Sequence, residues 1–233
     1  MFTHTYEMRY GDFKDFDTVK PSALLDLVQD IAIKHSAECG WGLYKMREAN
    51  MAWLLQGINL HINKPLDTRK NITIHTAVRD MKGVVSDRGC IIEQDGIVCA
   101  KTVAAWFLFD GNRMRPIRIP EDMAKCYQSH DFGDDFFSYK KPAITEAQKL
   151  YEVRVGNGHI DTNRHLNNQK SAELLMDALP EVFAFTDASI LYKKAAYLGD
   201  MLSVCSEKIE NGYFISLINK DGETCVAATF ENK

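Results

Sequence analysis

"PSALLDLVQDIAIKHSAE", Pro21–Glu38, is the stretch on which the fold turns. Leu24, Leu25, Val28, Ile31 and Ala32 recur at helical spacing and mark one apolar face. Pro21 suits the first turn of a helix, where its missing N–H costs nothing. Gly40 and Gly42 break the helix after Glu38. A strand signal precedes it at 5–9. Four more follow, at 53–63, 71–80, 89–94 and 97–109, with alternating or continuous apolar residues. The order is strand, long helix, then several antiparallel strands.

The second part of the chain has the same order. Residues 150–155 read as a strand and 168–178 as a helix ended by Pro180. Strands follow at 189–193, 201–209, 213–219 and 224–230. "QDG" at 94–96 and "KDG" at 220–222 are hairpin turns at the same place in each half. Short matches agree in order. Tyr6-Glu7-Met8-Arg9 resembles Tyr151-Glu152-Val153-Arg154, and Asp95-Gly96 with Cys99 resembles Asp221-Gly222 with Cys225. Asp17-Thr18-Val19-Lys20-Pro21 lines up with Asp161-Thr162-Asn163-Arg164-His165. Between the halves, 113–149 holds three prolines, a polar-aromatic "SHDFGDDFFSYKK" and little periodicity. These features predict a first repeat over 1–125, a linker over 126–148 and a second repeat over 149–233. The fold expected is α+β, a double or tandem hotdog with two long central helices wrapped by antiparallel sheets. Doubling lets two such sheets cover the edge and face that one leaves open.

Of 233 residues, 45% are hydrophobic and 26% charged, as in a globular protein. A net charge of −4 gives no electrostatic reason to bind nucleic acid or an anionic membrane. No apolar run approaches the ~20 residues that span a bilayer, and "MFTHTYEMRYGDF" lacks a secretion h-region. The six cysteines, at 39, 90, 99, 126, 205 and 225, form no CxxC pair. They read as small buried residues in a reducing compartment, and the expected location is cytoplasmic.

The strongest chemical group is "DTNRHLNN", 161–168. In an extended segment alternate side chains share a face, so Asp161, Asn163 and His165 are expected on one side. A carboxylate beside an imidazole fixes its tautomer, and neutral His is a general base for water. Asn163 can orient a carbonyl or water. Asn167 and Asn168 sit where a helix begins, with free N–H groups that can polarise a carbonyl oxygen. Together these suit hydrolysis of an activated acyl group. The same residues also suit an ordinary polar turn, with Asp161 and Asn163 closing an Asx turn, Asn167 capping the helix and His165 exposed. The first repeat tips the balance: its matching positions lack the Asn and His, as expected of a duplicated enzyme with one surviving site. His159 reads as a solvated loop residue, and His35 as a hydrogen-bonded core histidine that could line a ligand tunnel. Arg113, Arg115, Arg118, Lys193 and Lys194 form a basic set, either a solvated face or a contact for an acidic partner. No Walker loop, GxGxxG, HExxH or GxSxG is present.

Asp161-x-Asn163-x-His165-Leu166-Asn167-Asn168 resembles the D-x-N-x-H-V-N-N motif of the acyl-ACP thioesterases. "MAWLLQGINLHINKPL", "SDRG" and "CAKTVAAWFLFDGNRMRPIRIPEDM" are similar to other segments of that family, so the likeness runs from Tyr6 to Phe230. It implies hydrolysis of fatty acyl-acyl carrier protein to free fatty acid, with the acyl chain housed mainly by the N-terminal repeat. Asp161, Asn163 and His165 are implied as catalytic residues, with Asn167 and Asn168 in support. It implies the acyl carrier protein as partner, met by Arg113, Arg115, Arg118, Lys193 and Lys194. No metal or organic cofactor is implied, and a monomer or homodimer is expected. One departure stands out. The family often has Glu, and sometimes Cys, after a Tyr-basic-basic run; here Tyr192-Lys193-Lys194 is followed by Ala195 and Ala196. An acyl-CoA thioesterase and a non-catalytic acyl- or carrier-binding module are the competing readings, with a hotdog hydratase behind them.

Overall fold

The computed structural model describes residues 1–133 and 136–233. Asp134 and Asp135, inside the expected linker, lie outside the described residues. The chain divides into two compact units. One comprises Met1–Gln56 and His61–Tyr139, the other Gly57–Leu60 and Lys140–Lys233.

The first unit opens with strand β1 (Phe2–Tyr6) and helix α1 (Pro21–Glu38). Next come α2 (Leu43–Glu48), β2 (Met51–Ile62, apart from its Gly57–Leu60, which belongs to the second unit), β3 (Ile72–Lys82), β4 (Val85–Gln94), β5 (Ile97–Asp110), β6 (Arg115–Pro116) and α3 (Glu121–Tyr127). The strand order is β1-β3-β4-β5-β2, with β6 beside β5. The apolar stripe of α1 is buried as its spacing requires: Leu24, Leu25, Val28 and Ile31 are at most 5% exposed. Its contacts include β3, whose Ile72 and Ile74 are also buried. Asp95 and Gly96 both have positive φ, 52° and 74°. That is the paired left-handed backbone of the tight β4–β5 hairpin.

The second unit runs β7 (Gln148–Arg154), α4 (Asn168–Met176), β8 (Asp187–Tyr192), β9 (Met201–Ile209), β10 (Gly212–Ile218) and β11 (Thr224–Glu231). Its order, β8-β11-β10-β9-β7, repeats that of the first unit. Ala172 and Leu175 of α4 are buried, as are Phe214 of β10 and Phe230 of β11. The expected pair of long helices is unequal, since α1 has 18 residues and α4 only 9.

Sequence reading misplaces three features. The first strand is Phe2–Tyr6 rather than 5–9, because β3 pairing ends at Tyr6↔Ile72 and Arg9 is drawn into the next turn by Asp12. Helices α2 and α3 are missed because both are short. The latter lies in the stretch of little periodicity, yet it buries Met123 and Tyr127 against Met46, Val78, Leu108 and Ile119.

The third concerns the repeat. Before α1, Phe13 bridges Val19; before α4, Ile160 bridges Leu166. The Lys14 N–H donates to Thr18 O at 2.8 Å, and the Asp161 N–H to His165 O at 2.9 Å. The Lys20 N–H donates to Asp12 O, and the Asn167 N–H to His159 O. A short 3-10 turn precedes each bridge, at Tyr10–Asp12 and Asn157–His159. One constant offset, the one that carries Pro21 to Asn168, relates all of these. The counterparts of Asp161, Asn163 and His165 are therefore Lys14, Phe16 and Thr18, not the Asp17, Val19 and Pro21 that residue matching selects. The first copy is still blank of the polar trio.

Candidate active site

The segment 161–165 is a closed turn, not the extended strand end expected. Antiparallel bridging of Ile160 to Leu166 pinches its ends together. The Arg164 N–H donates to Asp161 O, and Arg164 has φ of +64°. Asp161 organises the loop. Its Oδ1 accepts from the Asn163 N–H at 2.8 Å and the His165 N–H at 3.3 Å, an Asx turn that folds the backbone around the carboxylate. Asp161 thus meets the backbone of His165. No hydrogen bond joins it to the imidazole among the described residues.

Asn163 is exposed, and its side-chain amide has no hydrogen-bond partner among the described residues. His165 is half-buried. Its ring meets Tyr197 edge to face, centroids 5.1 Å apart at 78°. Asn167 is the N-cap of α4: its side-chain oxygen accepts from the Gln169 N–H at 2.8 Å and the Lys170 N–H at 3.1 Å. Asn168 opens the helix, and its carbonyl accepts from the Tyr192 hydroxyl. The turn sequence is thus an Asx turn followed by a capped helix, and it carries Asp161, Asn163 and His165 within one closed loop.

The turn is anchored to the loop after β8. The Leu166 N–H donates to Ala196 O at 2.8 Å. Ala195 is exposed and Ala196 buried, so neither a carboxylate nor a thiol stands at either place. The Tyr197 N–H donates to Asp200 Oδ2 at 2.8 Å, and Gly199 supplies the left-handed φ of +91° that closes this loop. Sequence reading misses Tyr197. Its only signal is that it follows the two alanines where the family motif fails.

Other candidates scatter. Arg113, Arg115 and Arg118 are exposed around the β5–β6 hairpin of the first unit. Arg113 lies 3.7 Å from Asp110; the other two have no ion pair among the described residues. Lys193 and Lys194 are exposed in the second unit, and Lys194 is paired with Glu223. His159 is half-buried rather than solvated, and its Nδ1 accepts from the Gly156 N–H. His35 is buried and hydrogen-bonded, at 2.9 Å from Arg88. Four cysteines are buried, Cys126 is exposed, and all six are free thiols. Among the described residues no cluster of three or more His, Cys, Asp or Glu could hold a metal, and no helix is long and apolar enough to cross a membrane.

Two family models cover the chain: the acyl-ACP thioesterase N-terminal domain over residues 1–127 and the C-terminal domain over 140–231. The chain belongs to the acyl-ACP thioesterase family. It is a thioester hydrolase of fatty acyl-acyl carrier protein, and its fold is the hotdog fold. Among solved structures, an acyl-ACP thioesterase from Bacteroides thetaiotaomicron superposes with a TM-score of 0.90 at 17% identity, over 99% of this chain and 96% of that one. A 12:0-ACP thioesterase from Umbellularia californica gives 0.84 at 12% identity, over 99% and 96%. A DHNA-CoA thioesterase from Staphylococcus aureus matches 54% of this chain and 87% of its own, at 13% identity and a TM-score of 0.50. No curated protein matches the sequence. At these identities the likeness speaks for the fold, so the roles of individual residues rest on the geometry above.

Proposed function

We propose that Asp161, Asn163 and His165 carry the hydrolysis of the acyl thioester by water. The observation behind this is the pinched 161–165 turn, which gathers a carboxylate, an amide and an imidazole that the first copy replaces with Lys14, Phe16 and Thr18. Neutral His165 takes a proton from water as the oxygen attacks the thioester carbonyl. The C–S bond then breaks, and the imidazolium returns its proton to the departing sulfur. Products are the fatty acid and the free carrier thiol. The Asp161 carboxylate, held by two backbone N–H groups, stabilises the imidazolium through space. Asn163 orients the carbonyl or the water. The Gln169 and Lys170 N–H groups are taken by the Asn167 cap, so Asn167 and Asn168 support the oxyanion through their side-chain amides and not through the free helix start.

The first unit houses the acyl chain and the second carries the chemistry. Arg115 and Arg118, exposed and without ion pairs among the described residues, are the better carrier contacts. Arg113 and Lys194 are already engaged, and Lys193 adds a cation on the second unit. The enzyme acts in the cytoplasm, as a monomer or homodimer, without binding nucleic acid or inserting stably into a membrane. The test is release of thiol from acyl-carrier protein, and from the same acyl group on CoA, by wild type and His165→Ala. Carrier-dependent release by wild type and loss in the variant are expected; a variant as fast as wild type overturns the assignment.

A further inference from the structure

Helix α2 and the β5–β6 hairpin are joined on the outside of the first unit. Met46 fixes α2 to the core, packed with Leu108 of β5, Ile119 and Met123. The chain leaving α2 is tied to the hairpin. The Gly111 N–H donates to Asn50 O at 2.8 Å, and the Asn50 side-chain amide donates to Asn112 Oδ1 at 2.7 Å. Tyr44 stands roughly 200° round the helix from the inward Met46, and it is 83% exposed. Leu43 beside it is 60% exposed. Met114, in the hairpin turn, is 74% exposed and has φ of +52°. That left-handed region disfavours a bulky side chain. Single exposed apolar residues are ordinary. Three of them on two bonded elements make a patch of the kind that marks an interaction site.

Cations rim the patch. Residues 43–48 carry Lys45 and Arg47 against Glu48, and 110–118 carry Arg113, Arg115 and Arg118 against Asp110, in a chain of net charge −4. Glu121 and Asp122, at the start of α3, end the basic run. Lys45 is engaged over the Trp41 ring, 3.9 Å from its centroid. Arg47, Arg115 and Arg118 are exposed and have no ion pair among the described residues. Tyr, Met and Arg are the types enriched where proteins meet proteins, and a planar guanidinium fits a carboxylate in two-pronged fashion. A helix of six residues offers little face to lay into a lipid surface. Tyr44 lies about 9 Å from Asn50 along the helix direction, and Met114 two residues from Asn112. A standard interface, about 800 Å² on each partner, reaches both.

We propose that this surface docks the body of the acyl carrier protein, with Tyr44 and Met114 as apolar anchors and Arg47 and Arg115 meeting its carboxylates. The proposal rests on the reading that the acyl group arrives on that carrier. It adds α2 to the hairpin arginines and gives the surface a second task, which is choice of substrate. Carrier-bound and free pantetheine thioesters present the same reacting group, so preference for one needs contacts beyond the thioester. Charge alone fades with salt; buried apolar anchors keep the preference.

The test reads one ratio, kcat/KM for dodecanoyl-carrier protein over kcat/KM for dodecanoyl-pantetheine, on the full chain. Wild type should favour the carrier. The ratio should fall about tenfold or more in the double variant Tyr44→Ser with Met114→Ser, the scale for lost anchor residues, and it should fall in Arg115→Glu as well. A ratio equal to that of wild type in either variant overturns the proposal, even if both rates drop together. A wild type with no preference for the carrier fails the underlying carrier reading too. A preference that survives the double variant fails this proposal alone. Cross-linking needs no stable variant of the anchors: a photoreactive residue in place of Tyr44 should capture the carrier, and one in place of Val182, 95% exposed in the second unit, should not. Equal capture from both places overturns the proposal. So does sedimentation of wild type, but not of the double variant, with vesicles of phosphatidylglycerol and phosphatidylcholine while the ratio stays unchanged, since the surface then belongs to a membrane.

Discussion

Tyr197 stands edge to face against His165, the one aromatic contact of that imidazole among the described residues, with centroids 5.1 Å apart. The contact lies directly after Ala195 and Ala196, where the family motif often has its carboxylate. Both partners are held by backbone. The Leu166 N–H bonds Ala196 O, and the Tyr197 N–H bonds Asp200 Oδ2. With no side-chain hydrogen bond to fix the ring among the described residues, packing against Tyr197 sets its orientation. Tyr197→Ala is expected to lower kcat by about 10- to 100-fold, the scale for a misplaced catalytic group. KM should change little, because Tyr197 acts through His165. Tyr197→Phe should restore the rate, since the ring and not the hydroxyl makes the contact. Steady-state kinetics of the two variants decide it; equal losses in both would argue that the hydroxyl acts instead.

Asp161 holds the turn through the same carboxylate to which we assign a part in the chemistry, and two substitutions separate the two. Asparagine keeps an Oδ1 that accepts from the Asn163 and His165 N–H groups, so the loop survives without its charge. Alanine removes both. Asp161→Asn is expected to leave thermal stability near wild type and to cut kcat by about 10²-fold or more. Asp161→Ala should cut activity and lower Tm as well. An asparagine variant with wild-type kcat would reduce Asp161 to a structural residue.

Asn167 caps α4 with one oxygen on two backbone N–H groups. Asn167→Ala leaves both unmet at the helix start and should cost about 1 kcal/mol. Urea unfolding should show the midpoint fall with an unchanged slope. A helix of 9 residues has little to spare, so activity should fall as well if the 161–165 turn relies on α4 for its exit.

What could be read in advance follows from how each signal is encoded. The long stripe of α1 and the β-branched strands around it repeat often enough to be read by spacing, and Pro21–Glu38 emerges with the bounds expected. The 161–168 stretch was legible as chemistry but not as geometry. Alternating residue types suggest an extended chain, whereas Asp161 accepting two backbone N–H groups makes a turn. The repeat was legible in order but misaligned, because shared residues such as Asp17 and Asp161 are not the equivalent ones; the hydrogen bonds of Lys14 and Asp161 are. Contacts between residues distant in sequence leave no local trace. Tyr197 on His165 and Arg88 on His35 both belong to that class.

The Arg88–His35 contact has a consequence for stability against pH. In the folded chain the His35 imidazole is pushed down to about 4 from an ordinary 6.5, by burial first and by Arg88 second. The unfolded chain therefore binds this proton more readily, and between these two values it carries more protons than the native state. Stability from neutral His35 is full above pH 6.5 and is lost as pH falls toward 4. Half-buried Asp87 works the other way, since partial burial raises its carboxyl and acid favours its folded form. The difference between wild type and His35→Phe cancels such terms. Urea unfolding across this range should show wild type losing stability faster than the variant as pH drops, with parallel curves above pH 6.5. Curves parallel throughout would mean that His35 is as easily protonated in the folded chain as in the unfolded one, and that the Arg88 N–H does not hold Nδ1 as an acceptor.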